Sequence, residues 1–123
     1  MTSFSTIRDP LTDHLLTPQN AALVIIDYQP VQVSSIQSME KRTLVANITA
    51  VAKTAKLFGL PTVIATVNVG TGRNQPTIHQ IAEVFPDIGP IDRTSINTWE
   101  DEDFAAAVSA TGRNKLIMTA LWT

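Results

Sequence analysis

A chain of 123 residues is long enough for one domain and too short for two. Apolar residues make up 44% and charged residues 16%, a globular balance that argues against disorder, collagen and coiled coil. The formal net charge is −2, from nine Lys and Arg against eleven Asp and Glu with no long run of either sign. Nothing in it attracts a phosphate backbone, so nucleic acid is not an expected partner.

No apolar run approaches the ~20 residues that span a bilayer, so no membrane partner is expected. The N-terminus, MTSFSTIRDPLTDHLLTPQ, lacks the basic start and apolar core of a signal peptide. A cytoplasmic location is the expectation. There are no cysteines, which removes disulfides, Cys-based zinc sites and any thiol nucleophile from the chain as given.

Residues 1–19 are polar and carry Asp9-Pro10 and Thr17-Pro18, which discourage helix. They read as an N-terminal arm packed on the body or on a neighbouring subunit. Ala21 to Asp27, AALVIID, is a continuous apolar run, the pattern of a strand buried on both faces of a parallel sheet. A buried helix competes with that reading. The shortness of the run and the DYQP that follows favour strand.

From Glu40 to Phe58, apolar Leu44, Ile48, Val51, Ala55 and Phe58 recur at spacings of four, three, four and three. That is one face of a helix of about five turns, stopped by Gly59 and Pro61. Pro61 to Val67, PTVIATV, reads as a second buried strand, completing a βαβ unit. Thr77 to Val84 fits a short helix. Ile91 to Ile96 fits a short third strand. Glu100 to Thr111 fits a helix with Phe104, Ala107, Val108 and Thr111 on one face, closed by Gly112. Lys115 to Leu121, KLIMTAL, is a fourth strand. No helix follows to cover it, so residues 20–123 read as a domain incomplete at its C-terminal end, or as one part of a divided polypeptide.

Asp27 would stand at the carboxyl edge of a central strand, where a carboxylate can be tuned for proton transfer. It would equally serve as a cap for the following turn. Arg93 cannot act as a base but can hold a carboxylate or thiolate. Its plainer role is a surface salt bridge. Trp99 suits core or interface, and Asn97 suits loop backbone. His14 and His79 stand apart, without a second ligand at a metal spacing, so no metal is expected. Gly70-Thr71-Gly72 is neither a dinucleotide fingerprint nor a P-loop, and no cofactor is expected.

ALVIIDYQP, the long helix with GLPTVIATV, IDRTSINTW with EDEDFAAAV, and KLIMTALWT resemble, in this order, the isochorismatase-like hydrolase superfamily, and its cysteine-hydrolase branch most. The resemblance covers residues 20–123. It implies a three-layer α/β/α Rossmann-like parallel sheet, here the first four strands of an expected six, and a homo-oligomer. The family's catalytic Asp ends the first strand and matches Asp27. Its Lys follows the third strand, where this sequence has Arg93. Its Cys begins the helix after the fourth strand and would lie about three residues beyond Thr123. A cis peptide precedes that helix, which falls at Trp122-Thr123, and Gln29, Asn97, Trp122 and Thr123 would lie near the substrate or the oxyanion hole.

The implied function is hydrolysis of a small-molecule C–N bond of the amide type, through a Cys thiolate assisted by Asp27 and Arg93. The 123-residue chain alone would then be inactive. Isochorismatases proper lack the Cys and rely on the Asp. The rivals are an inactive member of the fold kept for binding or assembly, and a flavodoxin-like binding domain.

Overall fold

In the computed structural model of the chain, residues 9–122 are described. The apolar run forms β1 (Ala21–Ile26), whose first five residues are all buried. It is enclosed because it pairs in parallel on both sides, with β2 (Thr62–Val67) and with β4 (Lys115–Thr119). β2 pairs in turn with β3 (Ile91–Arg93), giving a four-stranded parallel sheet of order β3-β2-β1-β4.

Alternate residues of β1 serve two cores, which is why the run does not alternate with polar residues. Leu23 and Ile25 pack with Ile48, Ala52 and Ala55 of α2 (Lys41–Leu57), and with Tyr28 and Val33 around the short α1 (Pro30–Ser35). Val24 faces the other way, onto Phe104 and Val108 of α4 (Glu102–Ala110). The chain is therefore the three-layer α/β/α arrangement that its sequence suggests. Among the described residues, no helix is long and apolar enough to cross a membrane.

The helices differ from expectation in detail. In α2 the buried stripe passes through Ile48, Ala52 and Ala55, whereas Val51 and Phe58 are exposed. A 3.6-residue period brings Ala52, not Val51, beneath Ile48. Val51 instead lies beside Leu23 and Ile117 at the margin of the helix, and Phe58 lies beside Leu16 and Ile117. The helix stops where Gly59 takes a φ of 69°, so that the N–H groups of Gly59 and Leu60 reach the carbonyls of Lys56 and Ala55.

The segment around residues 77–84 contributes only α3 (His79–Ala82), although Ile81, Val84 and Phe85 are all buried. α4 begins at Glu102, because the Asp101 carboxylate caps it by accepting from the Phe104 N–H at 2.8 Å. A single 3₁₀ turn at Thr98–Glu100 occupies the residues just before.

The described part of the arm folds back on the body. Asn20 and Thr17 bind each other's backbone and side chains, and the Lys115 ammonium on β4 donates to the carbonyls of Asp13 and Leu15.

Phe104 is fully buried and is the largest side chain between α4 and the sheet. Phe104→Ala is expected to lower unfolding free energy by about 3–5 kcal/mol, from lost transfer energy and the cavity left behind. Denaturant titration at constant m-value checks this, and a loss below about 1 kcal/mol contradicts the packing described here.

Candidate active site

In an open parallel sheet, ligands bind outside the carboxyl ends of the strands, where the strand order reverses. In the order β3-β2-β1-β4 that point lies between β1 and β4. Asp27 is the first residue after β1. Its N–H continues the ladder to the Ala65 carbonyl at 3.0 Å. Its φ is then 59°, as is that of Asn68, the first residue after β2. Asp and Asn tolerate this left-handed region better than other side chains, at a cost of roughly 1–2 kcal/mol. Both strands therefore turn sharply as they leave the sheet.

Arg93, the last residue of β3, reaches across β2 to Asp27. Nη1 donates to Asp27 Oδ1 at 2.7 Å and Nη2 to Oδ2 at 2.9 Å. On the way Nη1 donates to the Thr66 carbonyl at 3.1 Å, and Nη2 to the Ile96 carbonyl at 3.0 Å. The arginine side chain is 2% exposed and the aspartate 17%. This is a bidentate, largely desolvated ion pair, beyond the reach of a surface salt bridge in both geometry and energy. A lysine could not make the same fork. Arg93 Nε is buried without a hydrogen-bond partner.

Gln29 is fully buried, and its side-chain amide is taken up by backbone. Nε2 donates to the carbonyls of Val67 and Gln75, and Oε1 accepts from the Val67 N–H. It clamps the loop after β2 to the end of β1. Asn97 is exposed, and its carboxamide oxygen accepts from the Trp99 N–H at 3.1 Å, starting the 3₁₀ turn. The Trp122 indole N–H donates to Ser35 Oγ at 2.7 Å. Thr123, and with it the Trp122-Thr123 peptide, lies outside the described residues.

A cleft of about 310 Å³ opens at this end of the sheet, lined by Val31, Gln32, Asn68, Arg73, Ile96 and Trp122 among others. Of these, only Trp122 was a sequence candidate. The others follow directly on β1, β2 and β3, and that position after a parallel strand is the signal that singles them out. A larger, shallower groove of about 850 Å³ runs along α2 past Lys41, Arg42 and Lys53, and includes none of the strand-end residues. Among the described residues, no three His, Cys, Asp or Glu side chains lie together as a metal site.

Asp92 was also unanticipated. Its carboxylate accepts from the Thr66 hydroxyl and the Val69 N–H at Oδ1, and from the Gly70 N–H at Oδ2. Burial alone would raise its pKa. The N–H groups of Gly70 and Val69, the Thr66 hydroxyl and the Arg93 N–H outweigh that and hold it below the ordinary carboxylate value. A Cβ at Gly70 would meet Asp92 Oδ2 at 3.3 Å, so the approach favours glycine.

Two outcomes are expected. Asp27→Ala leaves the Arg93 guanidinium buried without its counter-charge and should cost about 3–5 kcal/mol. Asp27→Ala with Arg93→Met removes both charges, and its cost should fall short of the summed single costs by at least ~1 kcal/mol, whereas strict additivity in denaturant melts contradicts the coupling. Asp92 ionises at lower pH when folded than when unfolded. Its stabilisation is therefore present above the unfolded value and lost as pH falls through the folded one. Asp92→Asn should flatten the acid limb of stability below about pH 4, read from unfolding midpoints across an acid pH series.

Comparison with known proteins identifies the family and the fold. A family model described as the Isochorismatase domain matches residues 21–123. "Probable hydrolase YcaC" of Escherichia coli (strain K12) is 36% identical over 109 residues, covering 88% of this chain and 52% of the relative. The crystal structure of the Escherichia coli YcaC gene product, an octameric hydrolase of unknown specificity, superposes with a TM-score of 0.78 at 36% identity, over 85% of this chain and 51% of that one. YcaC from Pseudomonas aeruginosa, solved with hexane-2,5-diol and covalent acrylamide, gives a TM-score of 0.80 at 34% identity, over 88% of this chain and 54% of that one. The chain thus spans about half the length of the relatives it matches. A parallel sheet carrying an acidic residue at its switch point, and a family model running from the first residue of β1 onward, together place this chain in the isochorismatase family.

Proposed function

We propose that the domain to which this chain contributes is a hydrolase for a small-molecule C–N bond of the amide type, using a Cys nucleophile with Asp27 and Arg93. The observation that carries this reading is the fork between Arg93 and Asp27, held at the switch point with the carboxylate still 17% exposed. Both carboxylate oxygens are oriented, and each keeps a lone pair for a proton. The Escherichia coli relative is described as a probable hydrolase and, in its crystal structure, as a hydrolase of unknown specificity, and the Pseudomonas aeruginosa relative holds acrylamide covalently, which supports a nucleophile in that protein.

In the proposed reaction Asp27 takes the thiol proton, and the thiolate adds to the amide carbonyl carbon. The tetrahedral adduct collapses as the C–N bond breaks, and Asp27 returns the proton to the departing nitrogen. Water then cleaves the thioester, with Asp27 as base, releasing the acid and restoring the thiol. Arg93 positions the carboxylate throughout and does not give up a proton. The chain holds no Cys, so we place the nucleophile in the half of the domain that the relatives have beyond the matched region. The 123-residue chain by itself is then non-hydrolytic. Assembly as a homo-oligomer is proposed from the octameric Escherichia coli relative.

The test joins the C-terminal half of that relative to this chain and assays ammonia release from a panel of small amides. The 123-residue chain alone should gain no acrylamide mass and release no ammonia, and the hybrid should do both. Asp27→Asn in the hybrid should lower kcat/KM by about 10²–10⁴-fold. Undiminished turnover by Asp27→Asn would sink the proposal.

A further inference from the structure

We propose that the shallow groove along α2 docks the acidic turn at the start of α4 from a second copy of this chain. The proposal rests on the assembly reading above and names the surfaces that make the contact.

Charge is divided between the two faces of the sheet. α2, on one face, carries Lys41, Arg42, Lys53 and Lys56 and no acid. Glu100, Asp101, Glu102 and Asp103 lead into α4 on the other face, and α4 adds no cation. A chain whose net charge is only −2 thus presents a basic helix on one side and an acidic turn on the other. α2 follows β1 and α4 follows β3, so in this parallel sheet both helices begin at the carboxyl ends of the strands. A second copy stacked face to face, with its strands running the same way, brings the acidic start of its α4 over the basic start of this α2. The two surfaces differ, so the contact is heterologous, and each copy keeps one of each for a further neighbour.

The groove holds about 850 Å³, with Val45, Ala46 and Ala50 between Arg42 and Lys53, and Gln80 of α3 beside them. Its charges are Lys41, Arg42 and Lys53 against the single acid Glu40. β4 meets α2 at the other margin, where Val51 and Phe58 lie beside Ile117, so the groove is separate from the strand that leads to Thr123. Small side chains between long cations suit an apolar knob flanked by carboxylates. The turn before α4 is such a knob. Trp99 is 48% exposed, and its ring is steadied edge-on against Phe104 at 5.3 Å. Glu100, Glu102 and Asp103 are exposed next to it in the chain, whereas Asp101 is taken up in capping α4. An indole seated on Ala46 and Ala50 buries apolar surface and offers its face to a neighbouring cation, and the carboxylates meet the cations of the groove.

The test measures self-association of the 123-residue chain by sedimentation equilibrium over a concentration series. Association is expected at low salt and should weaken at least tenfold between roughly 50 and 500 mM NaCl, because exposed charge pairs are screened. Arg42→Glu with Lys53→Glu should weaken it at least about tenfold, and so should Glu100→Lys with Glu102→Lys. All four positions are exposed, so the reversals leave the core untouched. Mixed in equal amounts, the two reversed variants should associate again, since each presents the charge that the other's altered surface now needs. A merely structural role for these residues gives no such rescue. Trp99→Ala should also weaken association at least about tenfold. Association that both reversals leave unchanged, or a mixture no tighter than either variant alone, overturns this contact and leaves the assembly reading standing. A chain that stays monomeric at low salt, as it does if the groove serves a different protein, overturns both. The hydrolase reading is judged apart from these, by the ammonia assay.

Discussion

The site depends on one buried guanidinium. Arg93 is almost wholly removed from water, and a charge there is tolerable only because two carboxylate oxygens and two carbonyls surround it. That requirement links the ends of three strands. The arginine leaves β3, touches the last turn of β2 through Thr66, and ends on the residue after β1. β3 has only three residues, yet its final one is among the most deeply buried charged groups of the described residues. The Arg93 carbonyl still accepts from the Asn68 N–H, and the chain then bends so that Ile96 presents its carbonyl to the same guanidinium.

Much of this was legible in the residues. A short, unbroken apolar run marked the central strand because both faces of β1 are covered, and its terminal acid marked that strand's carboxyl edge. Other features were not legible, for physical reasons. The helix face was read one residue astray at Val51, since alanine at 52 gives a weak hydrophobic signal although its small size is what lets α2 approach the sheet. The third strand was drawn too long, because nothing local shows that residues 94–96 turn back to serve Arg93. Asp92 and Arg73 look like ordinary surface charges in sequence. Their settings come from loops after β2 that bring Gly70 to one and leave the other facing a cleft.

The two arginines at the strand ends illustrate how position divides the work of a single residue type. Arg93 is neutralised and immobile, and it contributes geometry. Arg73 lies on a loop, exposed and unpaired among the described residues, at the cleft. Asp92, one residue before Arg93 in β3, has its charge absorbed by the Thr66 hydroxyl and the N–H groups of Val69 and Gly70. With Asp27, four charged residues thus occupy this end of the sheet, and the fork is the direct ion pair among them.

Gln29 has a consequence for motion. One buried amide ties the backbone of Val67 and Gln75 to the end of β1. The loop between residues 68 and 78 has no helix or strand of its own, and such loops usually open far more easily than the core. Here opening at Gln75 would take from a fully buried carboxamide one of its three hydrogen bonds. The loop that carries Arg73 is therefore coupled to the central strand. The part of the cleft wall that this loop forms is thereby tied to the strand end that carries Asp27.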